Sequence, residues 1–297
     1  MADPVAPPPR AIRLRHRLEA AVVHALFWLA RRAGPDLASA VGGRIARFIG
    51  PKLGTSKRAR RNLARFMPEL DDAARERIVA EVWENLGRTA AEYPHIAFLA
   101  ANRVEVRGME HGVAAHARGK SIIFIAGHLA NWEILPPIAR AHGLSLHVVY
   151  RALNNPLVDA LITRCRGEGA ASAIPKGFDG AKRVMKLISL NEHFGMLLDQ
   201  KQNDGIAVPF FGAPAMTTPV PAIFAQRFGV ALLPIQIERL RGARFRVTVH
   251  PMIATPDSGD RAADTLTIMT AVNARIESWV RQNPGQWLWL HKRWPNG

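Results

Sequence analysis

The chain has 297 residues, 48% of them hydrophobic and 22% charged, which is enough for one large domain or a domain with an appended helical region. Its single cysteine, Cys165, excludes an intramolecular disulfide and a cysteine-based metal site. A formal charge of +16 calls for an anionic partner: a membrane surface, a phosphorylated substrate, nucleic acid or an acidic protein.

Residues 1–10, MADPVAPPPR, are proline-rich and read as a disordered tail. The next segment is IRLRHRLEAAVVHALFWLARR. Its apolar centre, Ala20–Ala30, falls short of the ~20 residues of a transmembrane helix and contains His24. It lacks the small-residue cleavage site of a secretory signal. Arginines on both sides of Leu26, Phe27, Trp28 and Leu29 suit a helix at an anionic membrane interface, where guanidinium groups reach lipid phosphates; a true span, or a first helix packed on the domain with a solvated basic face, are the alternatives. Residues 1–66 carry fourteen Lys/Arg against three acids, a net +11 of the total +16.

Helical periodicity continues through DLASAVGGRIARFIG, SKRARRNLARFM and LDDAARERIVAEVWENLGRTAAEYPHIAFLA, the last capped by Asp71 or Asp72. A basic, membrane-associating helical region is thus expected over 11–100, and an α/β catalytic domain over 101–297. Strands are expected at about 103–107, 121–126, 144–150, 194–198, 230–238 and 244–250. Helices are expected at about 131–142, 155–168, 178–190, 217–228 and 260–282. Continuously apolar strands such as SIIFIAG and GMLLD imply burial on both faces of the sheet. VALLPIQIER and ARFRVTVHP, joined by a short glycine-containing turn, read as an antiparallel hairpin. The expected class is α/β: a mixed, centrally parallel sheet flanked by helices, with a basic N-terminal helical region.

The apolar run SIIFIA leads directly into GHLANWE, residues 127–133. Strand ends of an open α/β sheet are where loops and helix N-termini converge on a site. His128 and Glu133 would not share a helical face, but they can meet if a helix starts at Asn131. H-x4-E alone is a weak signal. AGHLANWEI, however, resembles the motif of the late acyltransferases of lipid A biosynthesis, the lauroyl and myristoyl transferases of Gram-negative bacteria. Their H-x4-D/E signature is shared by the wider glycerolipid acyltransferases. RRNLARFMPEL, YRALNNPLVD, LLDQ with VPFFGAPAMTT, and QWLWLHKRW resemble further motifs of that family, in its order, over roughly residues 58–294. The departures are small: Lys292 where arginine is usual, and Met67-Pro68 where Phe-Pro is typical.

The resemblance implies a glycerolipid-acyltransferase-like fold and transfer of an acyl chain from an acyl carrier protein thioester. The acceptor would be a hydroxyl of a phosphorylated, Kdo-bearing glucosamine disaccharide lipid. Acyl carrier protein is then a co-substrate, and no cofactor or metal is expected. A neutral imidazole at His128, ordinarily titrating near about 6.5, suits the general base an alcohol needs. Glu133 is expected to fix its tautomer and stabilise the imidazolium. The resemblance carries the family's essential arginine to Arg166, for the oxyanion or a lipid phosphate, and its D-Q acid to Asp199, read as positioning Arg166 or the acceptor. Substrate contacts are expected from Asn131 (or else a helix cap), Arg151, Gln200, Phe210 and Phe211 (a chain-length pocket or plain core), and the basic end His291 to Arg293. Trp132 borders the acyl groove or belongs to the core, as do Trp287 and Trp289. The location implied is the cytoplasmic face of a bacterial inner membrane. Three rivals remain. One is an acyltransferase acting on another glycolipid, such as a phosphatidylinositol mannoside. The second is a basic nucleic-acid-binding protein, disfavoured because Leu, Ala, Trp and Phe interleave the basic run and no recognition motif appears. The third is an inactive scaffold, disfavoured by the presence of His128, Glu133, Arg166 and Asp199.

Overall fold

The computed structural model describes residues 12–150, 153–167, 172–175 and 178–294. The expected tail over 1–10 lies outside them. Five helices come first: α1 (Leu14–Ala33), α2 (Pro35–Ile49), α3 (Ser56–Phe66), α4 (Asp72–Glu92) and α5 (Ile96–Asn102). Pro35 opens α2, where a missing N–H costs nothing. The Asp71 carboxylate accepts from Ala74 N at 2.6 Å and caps α4.

The alternating part follows: β1 (Val104–Arg107), α6 (Met109–His116), β2 (Ile122–Ala126), α7 (Leu135–Ala141), β3 (Leu146–Tyr150), α8 (Pro156–Gly167), β4 (Ser172–Pro175), α9 (Phe178–Ser189) and β5 (His193–Leu197). A small antiparallel hairpin, β6 (Ile206–Phe210) and β7 (Ala213–Thr217), stands apart from the main sheet. Then come α10 (Val220–Phe228), β8 (Ala231–Arg239), β9 (Phe245–Val249) and the long α11 (Arg261–Gln282). The main sheet has the order β1-β9-β8-β2-β5-β3-β4. All its pairings are parallel except β8–β9, the expected hairpin.

Alternation along the strands divides the core between the two faces of the sheet. Ile123 and Ile125 of β2, with Phe194 and Leu198, face α11 and the tryptophans of the C-terminal segment. Ile122 of β2, with Leu233, Ile235 and Val247, faces α6 and α7. Central strands buried on both sides explain the unbroken apolar runs.

The candidate active site

His128 sits two residues beyond the end of β2, and Asp199 two beyond the end of β5. The strands are parallel neighbours with Ala126 opposite Leu197, so the same step on each chain brings the two side chains together. Leu198 N donates to Ala126 O at 3.0 Å and carries the register past the strand ends. His128 Nδ1 lies 2.7 Å from Asp199 Oδ1, and the His128 backbone N–H donates to Asp199 Oδ2 at 2.7 Å. Trp287 Nε1 donates to the same Oδ2 at 2.7 Å. Gly127 leaves this corner uncrowded: a Cβ there would stand 2.8 Å from Leu129 Cδ1, 3.2 Å from Ile276 Cγ2 and 3.4 Å from Asp199 Oδ2.

Asp199 is fully buried. Burial by itself would raise its carboxyl, but the His128 imidazole, through charge and hydrogen bond, and then His291 outweigh it and hold the group well below the usual carboxylate range. An ionised carboxylate only accepts, so His128 Nδ1 carries the donated proton, and the neutral ring in this tautomer has its lone pair on Nε2. Gln200 Nε2 lies 3.3 Å from that lone pair. The Trp132 ring meets the imidazole edge-on at 5.0 Å between centroids.

The loop carrying His128 is held from two sides. Ala130 adopts a left-handed φ of 47°, which costs a non-glycine residue on the order of 1 kcal/mol or more. Asn85 and Thr89 of α4 both donate to its carbonyl, at 2.9 and 3.0 Å. Its own N–H donates to Gln286 O at 3.0 Å, next to an antiparallel bridge between Leu129 and Trp287. The conformation is thus fixed by α4 and by the C-terminal segment together.

A groove of about 540 Å³ opens at His128, Trp132, Glu133 and Gln200 and runs between the sheet and α7. Its floor is set by register: Phe124 of β2 and Val148 of β3 both lie opposite Gly195 of β5. Gly195 adds no side chain between these two neighbours. The arrangement joins a polar end holding the His128 imidazole to an apolar channel.

Several expectations are corrected. Asp199, not Glu133, occupies the Nδ1 side of His128. Glu133 lines the groove, and its Oε1 accepts from Trp132 Nε1 at 3.0 Å. Asn131 is fully buried: its Oδ1 accepts from Glu133 N and its Nδ2 donates to Glu92, so it caps and anchors the turn rather than meeting substrate. Phe210 and Phe211 are buried with Trp287, Trp289 and Trp294 behind the sheet, away from the groove, because burying flat rings against one another satisfies them there. Arg293 is also fully buried, donating to Met216 O and Thr217 Oγ1 at 2.8 Å and lying over Phe210, and cannot reach a lipid phosphate. Burial lowers its guanidinium to about 10 despite the pull of Asp199, so it stays charged at neutral pH. His291 donates from Nε2 to the Asp199 carbonyl at 3.0 Å. Burial lowers it to about 4, against the pull of Asp199, and it is a neutral neighbour of the site rather than a cationic contact. Arg151 and the side chain of Arg166, which is carried on α8, lie outside the described residues. Trp287 was legible only as an aromatic in a motif; its hydrogen bond to Asp199 has no sequence signal.

Comparison with known proteins follows the same line. The family model for bacterial lipid A biosynthesis acyltransferase matches residues 8–296. A lipid A biosynthesis acyltransferase of Haemophilus influenzae is 26% identical over 84% of this chain and 78% of its own. The lipid A biosynthesis lauroyltransferase of Escherichia coli is 26% identical, over 80% and 78%. A phosphatidylinositol mannoside acyltransferase of Mycobacterium tuberculosis is 25% identical, over 91% and 87%. A family match over nearly the whole length, on a chain that sets an imidazole–carboxylate pair beside an apolar groove, leaves one assignment: this protein is an acyltransferase of lipids and belongs to the bacterial lipid A biosynthesis acyltransferase family.

Proposed function

We propose that the protein transfers a fatty acyl chain from an acyl carrier protein thioester to a hydroxyl of a Kdo-bearing lipid A precursor at the cytoplasmic face of the inner membrane. The observation that carries the reading is the 2.7 Å contact between His128 Nδ1 and Asp199 Oδ1, which leaves the Nε2 lone pair at the mouth of an apolar groove. In this reading the acceptor hydroxyl takes the place of the Gln200 amide. Its oxygen attacks the thioester carbonyl as its proton passes to His128 Nε2. The C–O bond forms, the tetrahedral intermediate collapses, the C–S bond breaks, and the imidazolium returns the proton to the departing thiolate. Asp199 stabilises the imidazolium while it exists. Glu133 supports the step through Trp132, and Arg166 supplies positive charge to the oxyanion or an acceptor phosphate. The acyl chain lies in the groove over Gly195.

Membrane contact is assigned to α1 and α2. Among the described residues no helix is long and apolar enough to cross a membrane. Leu14, Leu18, Val22 and Leu26 are nonetheless exposed on one face of α1, and Leu37, Val41, Ile45 and Phe48 on α2. The likeness to phosphatidylinositol mannoside acyltransferase favours a second reading in which the acceptor is a mannosylated phospholipid.

The test is transfer by the purified full-length chain from defined acyl carrier protein thioesters to each acceptor, read by mass spectrometry. His128→Ala abolishes turnover and Asp199→Asn lowers it by about a hundredfold or more, with folding retained. Full activity of His128→Ala removes the base assignment. Acylation of only the mannosylated acceptor replaces the first reading with the second.

A further inference from the structure

The C-terminal segment after α11 does more than fill space. Trp287 is buried at 1% exposure amid Phe210, Trp289, Trp294 and His291. Such a cluster accounts for its ring but not for the direction of its N–H. The neighbouring Trp289 donates to Pro284 O, within its own segment. Trp287 instead crosses to Asp199 Oδ2 at 2.7 Å. That oxygen also receives the His128 backbone N–H, so two donors pin Oδ2 and leave Oδ1 to the imidazole.

We propose that Trp287 is a positioning residue for acyl transfer: its indole N–H fixes the Asp199 carboxylate so that Oδ1 holds the His128 Nδ1 proton and Nε2 faces the groove. The proposal rests on the acyl-transfer reading and adds a residue to it. The bond also tunes the site. A carboxylate that receives fewer hydrogen bonds attracts the imidazolium proton more strongly. The other groups facing the pair are His291 and Arg293 from the same segment, Gln200 from the end of β5, and Glu133 and Trp132 from the loop after β2. None of these donates to Oδ2 among the described residues.

The test compares Trp287→Phe with a chain carrying benzothienylalanine at 287, which keeps the bicyclic shape and puts sulfur in place of N–H. Trp289→Phe is the packing control. In both 287 variants kcat falls about tenfold with KM nearly unchanged, the size expected for loss of a hydrogen bond to a charged group. The acid limb of the rate profile, where the imidazole gains its proton, moves to higher pH. Trp289→Phe lowers stability and leaves the limb in place. Titration of the His128 ring by NMR of the 15N-histidine-labelled chain reads the same upward shift without turnover. An unmoved titration in the benzothienylalanine chain overturns the proposal, including where Trp287→Phe fails to fold. Absence of transfer by the unmodified protein would count against the acyl-transfer reading instead, and the NMR titration would still decide the role of Trp287.

Discussion

Phe124, Gly195 and Val148 line the groove side by side on three strands, and Gly195 is the one of the three without a side chain. A Cβ at 195 would meet Leu146 Cδ2 at 3.2 Å and Val148 Cγ1 at 3.6 Å; the nearer atom is the end of a flexible side chain, which can give way. Gly195→Ala is therefore tolerated, and Gly195→Leu fills the floor. In competition between acyl carrier protein thioesters of different chain length, Gly195→Leu shifts the product ratio toward shorter chains by about tenfold or more, since each methylene a pocket refuses is worth roughly 1–3 kcal/mol. An unchanged ratio places the acyl chain elsewhere. Single residues also show what the sequence made legible. His128 was readable from GHLANWE, and Asp199 as a polar residue closing the strand GMLLD. Their pairing was not, because the residues are 71 apart and only the parallel register of β2 and β5 joins them. Glu133 was the nearer acid in sequence and so the natural candidate. Phe210 and Phe211 were left between two alternatives, and the structure takes the core one: rings that would suit a chain pocket suit a buried aromatic cluster equally well.

Whole elements were more legible than contacts. The six expected strands and the helices between them correspond to β1, β2, β3, β5, β8 and β9 and to α7 through α11, because long periodic or unbroken apolar runs leave little choice. The missed strands have physical reasons. β4 spans four residues and ends in Pro175, and β6 and β7 each contain a proline, Pro209 and Pro214, that sit opposite each other in the hairpin. α6 was missed because it is one short stretch with almost no amphipathic pattern, interrupted by Gly112. α1 and α2 carry a prediction of their own. Leu14, Leu18, Val22 and Leu26 repeat every four residues and form one stripe, as do Leu37, Val41 and Ile45. Arg32 lies over the exposed Trp28 ring at 5.3 Å and Lys52 over Phe48 at 3.7 Å, a pairing of cation and aromatic suited to lipid headgroups. The proposed membrane contact is therefore one in which these helices lie along the interface. Leu18→Glu with Leu26→Glu lowers binding to anionic vesicles about tenfold or more in sedimentation, given roughly 1.5–3 kcal/mol for each buried leucine. Transfer to detergent-dispersed acceptor continues, because neither residue lies at the groove. Equal sedimentation of variant and parent would remove these stripes from the membrane contact.

Across the whole molecule, the N-terminal helices and the sheet are joined by charge as well as by packing. Glu92, at the end of α4, is fully buried and receives the Arg239 guanidinium at 2.5 and 3.0 Å. Ser39 of α2 donates to it at 2.6 Å and Asn131 of the site loop at 2.8 Å. Arg239, on β8, also donates to Asn85 Oδ1, and Asn85 in turn donates to the strained Ala130 carbonyl. One carboxylate thus ties α2, α4, β8 and the His128 loop together. Glu92→Gln leaves the Arg239 cation without its counter-charge and destabilises the protein by roughly 3–5 kcal/mol, measured as a lower denaturant midpoint. Replacing both partners, Glu92→Leu with Arg239→Met, recovers most of that loss, because a buried ion pair spends much of its attraction on desolvation. Activity should not recover with it. Asn131 has then lost its acceptor and Asn85 its donor, so the loop that presents His128 is free to relax from its left-handed turn. A double variant that regains both stability and full transfer would show that the network holds the fold alone; one that regains stability while kcat stays low shows that it also holds the base in place.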